Sequence, residues 1–66
     1  MKQKFKVGEK VVYIPRHANN DPTHKDCEIG EVSSIRNGKV YVKYMRNGIL
    51  QETAELTPVE LLGHYF

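Results

Sequence analysis

Apolar residues fall in short runs separated by Gly, Pro and Asn, and up to residue 55 they show no helical spacing. The runs are rich in β-branched and aromatic residues, which is typical of short strands joined by turns. The pattern therefore predicts an all-β chain. A first strand is expected at residues 10–15, because Pro15 lacks an N–H and suits a strand end. Residues 16–27 carry Asn, Asp and Pro and predict a long loop.

Two Asn-Gly dipeptides lie ten residues apart, each between strand-like segments. Asn-Gly supplies the positive φ angles that a two-residue hairpin turn requires. The chain after the loop is therefore predicted to form a three-stranded antiparallel meander of residues 28–36, 39–46 and 49–54, with turns at Asn37-Gly38 and Asn47-Gly48. The register of the third strand stays open, because neither of its faces is wholly apolar.

The register of the first hairpin follows from the apolar positions. A regular two-residue turn would set Val32 opposite Lys43, which is a poor core. An extra residue at Ser33-Ser34 repairs the pattern and predicts a β-bulge. The resulting pairs are Val32 with Val42, Glu31 with Lys43, and Gly30 with Tyr44.

The C-terminal segment has the form of a capping box, Thr57-Pro58-Val59-Glu60. A single 3-10 turn is expected to follow and to deliver Leu61 and Leu62 to the core. Gly63 is expected to end it, and the last three residues are expected to fray.

At 66 residues and 7.6 kDa the chain predicts one domain over residues 1–66, with its core between about 5 and 62. The longest apolar run has four residues, at 11–14, which is too short for a membrane span or a signal-peptide core. We therefore expect a cytoplasmic protein with no membrane partner. Cys27 is the single cysteine, so no disulfide can form within the chain.

Several short motifs carry a resemblance to a known class: the opening at residues 7–12, Gly30-x-Val32-x-x-Ile35, Val40-x-Val42 and Pro58-x-x-Leu61. Together they resemble the SH3-like small β-barrels, and most of all the KOW and Tudor-like modules. The resemblance implies a single barrel of about five short antiparallel strands with a 3-10 turn near the C-terminus. Residues 16–27 form a longer loop than a KOW module has. The pattern of residues 15–30 is also similar to small phage- or prophage-encoded proteins of unknown function.

Charge alternates in blocks along the chain although the net charge is only +2. Residues 1–20 and 35–48 each balance to +4, whereas 21–34 and 49–66 each balance to −3. The basic blocks suggest RNA or single-stranded DNA binding as an alternative function. The residues for that alternative are Lys2, Lys4, Lys6, Arg36, Lys39, Lys43 and Arg46. The three lysines near the N-terminus also fit a solvated edge strand.

The preferred interpretation is a protein-binding module that uses the outward face of the meander. If Val40, Val42 and Tyr44 point inward, the alternate residues of that strand point outward. The predicted partner-binding set is Tyr41, Lys43, Met45 and Leu50. Aromatic, Met and basic residues together are frequent at interfaces, although the same side chains could simply cover the edges of the fold.

The long loop also concentrates groups that bind zinc, and a site of His17, His24 and Cys27 with Asp21 is conceivable. Their spacing matches no strong zinc signature, so no metal or other cofactor is expected. A nucleophilic Cys27 would need a general base held in position beside it, and the sequence shows no residue that would orient one. No phosphate-binding Gly loop is present in the sequence. The sequence therefore predicts no catalytic residue, no small-molecule substrate and no enzyme activity, and it leaves the oligomeric state open.

Overall fold

A computed structural model describes residues 5–65 of the chain. It contains six strands and two 3-10 turns, and the all-β prediction is confirmed. The strands are β1 (Lys10–Tyr13), β2 (Glu28–Arg36), β3 (Lys39–Arg46), β4 (Ile49–Leu50), β5 (Glu55–Thr57) and β6 (Leu62–His64), and the 3-10 turns are Arg16–Ala18 and Val59–Leu61. No helical segment in the described part is long and apolar enough to cross a membrane.

The strands form one antiparallel sheet in the order β4-β3-β2-β1-β6, and β5 also pairs with β3. Within residues 5–65 no pairing joins β4 or β5 to β6, so the sheet does not close. The core is a cluster of buried side chains on one face: Phe5, Val11, Val32, Val40, Val42, Tyr44 and Leu62. Tyr13 and Ile35 pack against this cluster.

The β2–β3 hairpin has the predicted register. Val32 pairs with Val42 and Gly30 with Tyr44, and the register shifts between Val32 and Ser34, which confirms the bulge. Asn37 and Gly38 have φ angles of 50° and 75°, as the tight turn requires. Gly30 is needed here, because a Cβ at this position would lie 2.6 Å from Val42 Cγ1.

The predicted third strand at 49–54 is wrong in its extent. Only β4 is a strand there, and residues 51–54 leave the sheet before β5 pairs again with β3. The register of β5 is shifted by two residues relative to β4, so Thr57 lies opposite Val40, where an unshifted strand would place Glu55. Because of the shift, the buried side chain at this position is that of Thr57, whose hydroxyl is hydrogen-bonded. Burying the carboxylate of Glu55 there without a partner would be costly.

The C-terminal prediction is partly corrected. The 3-10 turn is present, but Pro58 precedes it as the cap and no side chain caps it. Thr57 does not cap, because its hydroxyl is bonded to the hydroxyl of Tyr44, 2.6 Å away. His64 does not fray, because it belongs with Gly63 to β6, which pairs with β1. Phe66 lies outside the described residues.

Candidate functional site

The outward face of β3 follows the predicted alternation. Val40, Val42 and Tyr44 are buried, Tyr41 and Lys43 are half-buried, and Met45 is 45% exposed. The alternation arises because successive side chains of a strand point to opposite faces. The residues predicted to bind a partner therefore lie on the side of β3 that faces away from the core.

Met45 and Leu50 lie together as a cross-strand pair of the β3–β4 hairpin. With Ile29 and Tyr65 they line a shallow groove of about 240 Å³, which we call the apolar groove. Met45, Leu50 and Tyr65 are between 40% and 45% exposed. Lys10 and Glu31 also line the groove and bring one charge of each sign to it.

Pairing between strands assembles the apolar groove from five segments: β1, β2, β3, β4 and the residue that follows β6. Ile29 lies next to Gly30, which pairs with Tyr44, so β2 brings Ile29 beside Met45. Tyr65 follows β6 and is held by its amide, which donates to the carbonyl of Lys10 at 3.3 Å. Sequence reasoning missed both side chains. Extending the predicted β2–β3 register by one pair places Ile29 opposite Met45, so Ile29 could have been found. The position of Tyr65 depends on the pairing of β6 with β1, which was not predicted.

The structure separates Tyr41 from Met45 and Leu50. Tyr41 lines a different depression, with Ser34, Arg36 and Ala54. Lys43 lies between the two regions and is paired across the strands with Glu31. The predicted four-residue set is therefore divided, with two of its members in the apolar groove.

The basic residues of the nucleic-acid alternative are also divided. Arg36 and Lys39 are a cross-strand pair at the β2–β3 turn. Arg46 lies at the other end of β3, where it donates to Glu28 and Glu55, each at 3.0 Å. Lys6 is exposed and precedes β1. Lys2 and Lys4 lie outside the described residues.

A small polar network lies where β2, β3 and β5 meet. Tyr44 packs edge-on against Tyr13, with ring centroids 6.1 Å apart. Burial raises the pKa of Tyr44 to about 12, although its hydrogen bond to Thr57 works in the opposite direction. The hydrogen bond to Glu28 raises the pKa of Arg46. The hydrogen bonds of Tyr44 and Arg46 therefore tie the end of β3 to β2 and β5.

The loop between β1 and β2 is built from successive turns. Several backbone amides in it donate to the carbonyl three residues earlier: Asp21 to Ala18, His24 to Asp21, and Cys27 to His24. Asn19 and Asn20 take positive φ angles of 51° and 63°. The carboxylate of Asp21 accepts hydrogen bonds from the hydroxyl and amide of Thr23, which lower the pKa of Asp21.

Two histidines of this loop lie against the same carboxylate-bearing residue. His17 Nε2 donates to Asp26 Oδ2 at 2.7 Å, and the amide of Asp26 donates to His24 Nδ1 at 3.0 Å. The two imidazole rings meet edge-on, with centroids 5.3 Å apart. Cys27 Sγ instead donates to the carbonyl of Asp21 at 3.3 Å. The loop therefore brings together His17, His24 and Asp26, which differs from the set weighed from the sequence.

No protein family matches the chain, and no curated protein or solved structure matches it either.

Proposed function

We propose that this protein is a small non-catalytic binding module that holds an apolar side chain of a partner protein in the apolar groove. The observation that carries the proposal is the grouping of Met45, Leu50 and Tyr65, all large and at least 40% exposed, around one depression. Met and aromatic residues are enriched at the centres of protein interfaces. Exposed apolar side chains grouped in this way commonly mark an interaction site.

The dimensions and charge of the apolar groove support a protein partner. Its volume of about 240 Å³ is below that of ordinary small-molecule pockets, and it suits one large side chain. Lys10 and Glu31 give it both signs of charge, whereas a site for nucleic acid would present one sign. The pairing of Arg46 with two carboxylates reduces the basic surface further.

The short strand β4 offers a neighbouring edge for a partner. It stands at the end of the strand order, and its residues Ile49 and Leu50 are 66% and 40% exposed. A partner segment in extended conformation would pair with this edge, and one of its side chains would enter the apolar groove.

We also infer a relationship to the SH3-like barrels of the KOW and Tudor-like type. The antiparallel meander and the 3-10 turn before the last strand support this inference.

The test selects peptides from a displayed random library on the purified protein and measures the affinity of the selected peptides. We expect peptides with a recurring large apolar residue, and we expect Leu50→Ala to weaken binding. Leu56→Ala is the matched control, because Leu56 is also an exposed leucine on a short strand but does not line the apolar groove. Equal losses for the two variants would contradict the proposal.

A salt titration distinguishes the nucleic-acid alternative. Binding to mixed RNA or single-stranded DNA that falls linearly with the logarithm of salt, and is lost on combining Arg36→Glu, Lys39→Glu and Lys43→Glu, would favour that function. We expect only weak association, unaffected by Leu50→Ala.

A further inference from the structure

The loop of residues 16–27 brings together three side chains that are common ligands of zinc. We propose that it binds a divalent transition-metal ion, with Zn²⁺ as the representative, through His17, His24 and Asp26. Each of these residues offers a ligand atom that lies within 4.8 Å of those of the other two. Imidazole nitrogen and carboxylate oxygen together form a usual donor set for Zn²⁺. The spacing of His17, His24 and Cys27 along the sequence matched no strong zinc signature, and the structure groups Asp26, not Cys27, with the two histidines.

The ligand atoms of these three residues need to move only slightly to reach the spacing of a zinc site. In a tetrahedral zinc site with bonds near 2 Å, neighbouring ligand atoms are about 3.3 Å apart. His17 Nε2 and Asp26 Oδ2 are 2.7 Å apart and share a proton, so an ion replacing that proton would separate them slightly. His24 completes the set by moving toward them. The side chains of His17 and Asp26 are 63% and 48% exposed, so rotation and ion entry are not obstructed.

His24 must exchange one interaction for another. Its Nδ1 accepts a hydrogen bond from the amide of Asp26, so this nitrogen carries no proton. Coordination through Nδ1 uses the same lone pair, and coordination through Nε2 requires the proton to move to Nδ1. Either mode breaks the hydrogen bond. The amide of Asp26 is therefore a specific reporter of ion binding at this site.

Hydrogen bonds within the loop hold its backbone in place. The turn hydrogen bonds described above follow one another from Ala18 to Cys27, and Ala18 is buried. Cys27 contributes to this framework through its bond to the carbonyl of Asp21. An ordered framework lowers the entropic cost of gathering the ligands. Three protein ligands leave a fourth tetrahedral position for water or for a group on a partner.

The donor set selects the class of ion. Two imidazoles favour Zn²⁺, Cu²⁺, Ni²⁺ or Co²⁺, whereas Mg²⁺ and Ca²⁺ prefer sites built from oxygen ligands. One carboxylate from Asp26 is a poor site for either of the latter. Mg²⁺ therefore serves as the negative control ion.

The experiment titrates the 66-residue protein with ZnCl₂ and with MgCl₂, using calorimetry and amide NMR. We expect saturable 1:1 binding of zinc, a large shift of the Asp26 amide resonance, and no response to magnesium. His17→Gln and His24→Gln should each weaken zinc binding by more than about tenfold, since even residues that only support a ligand contribute about that much. Both variants should fold, because their side chains lie in an ordered loop outside the core.

His64→Gln is the matched control, since it removes the remaining histidine from a position outside the loop. It should keep the zinc affinity of the parent. The proposal is wrong if zinc shows no saturable 1:1 binding, if the Asp26 amide does not respond, or if His17→Gln and His64→Gln have equal affinities. It is also wrong if Cys27→Ser abolishes binding while His17→Gln does not.

Discussion

The β2–β3 hairpin and the loop of residues 16–27 are both ordered, but by different interactions. In the hairpin, buried pairs such as Val32 with Val42 fix the register, and a slip would expose the apolar face. In the loop, turn hydrogen bonds and the Asp21 carboxylate hold a mostly exposed chain. The hairpin therefore supports the fold, whereas the loop is free to carry chemistry at little cost to stability. Substitutions in the two regions should separate these roles.

The largest effect is expected for Gly30→Ala. An added Cβ would lie 2.6 Å from Val42 Cγ1 and 2.7 Å from the backbone oxygen of Lys43, which cannot move without disturbing the sheet. Overpacking of this kind costs up to about 3 kcal/mol, a large share of the roughly 3–5 kcal/mol available to a domain of this size. Urea unfolding followed by circular dichroism measures the loss.

Gly63→Ala is the control for Gly30→Ala, because a Cβ at Gly63 would meet Val12 Cγ1 at 3.4 Å, an ordinary contact. It should change stability much less. Similar losses for the two glycines would mean that the close packing between β2 and β3 does not limit the fold.

The next largest effect is expected within a single strand. Val42 is fully buried, so Val42→Ala should cost roughly 1 to 3 kcal/mol through lost burial and a residual cavity. Tyr41→Ala, on the opposite and half-buried face, should cost clearly less. Equilibrium urea unfolding of both variants gives the comparison. If Tyr41→Ala is as damaging as Val42→Ala, Tyr41 belongs to the fold and not to a binding surface.

Sequence reasoning predicted the hairpin well because its signals are local. Two Asn-Gly turns and the alternation of valines determine the register, and the bulge follows from one mismatched pair. It failed where distant segments meet. β6 pairs with β1, and β5 pairs with β3 in a register shifted by two residues. Both pairings depend on which strand edges the rest of the fold leaves open. Tyr65 entered the candidate site only through such pairing.

The loop shows the same limit in a different form. The residue types made a metal site conceivable, but spacing along the chain did not identify Asp26 as the residue that lies with His17 and His24. The positive φ angles of Asn19 and Asn20 reverse the chain and help bring His17 and Asp26 together across nine positions. Such reversals are visible only once the backbone path is known.

Alkaline pH should weaken the fold through Tyr44. Below pH 10 this side chain is neutral in both the folded and the unfolded protein and gives no pH dependence. Between pH 10 and about 12 the unfolded chain releases a proton that the folded protein retains, so stability falls as pH rises. The expected loss is roughly 1 to 2 kcal/mol over this interval. Urea unfolding across the interval measures it.

Tyr44→Phe should remove most of this dependence, because the buried hydroxyl is its source. The Thr57 hydroxyl also donates to the carbonyl of Glu55 at 3.3 Å, so it should retain a partner when the Tyr44 hydroxyl is removed. Absorbance of tyrosinate gives an independent check, since the Tyr44→Phe variant should lose a tyrosinate signal that appears near pH 12 in the parent. An unchanged pH dependence in Tyr44→Phe would contradict the assignment.

The smallest effect on global stability is expected for Asp21→Asn, the variant that probes the loop. The hydrogen bonds from Thr23 favour the charged carboxylate of Asp21 and lower its pKa. The stabilisation from these hydrogen bonds is therefore fully present above pH 3.8, the ordinary pKa of the group, and is lost as the pH falls through the lowered pKa. Asparagine should loosen the turn and speed hydrogen exchange at the amides of Thr23 and His24. Exchange in β2 and β3 should stay at the rate of the parent, because Asp21 is exposed and the main core cluster contains no residue of this loop. If Asp21→Asn instead accelerates exchange throughout β3, the loop and the hairpin unfold as one unit, and the loop is not free to vary without cost to the fold.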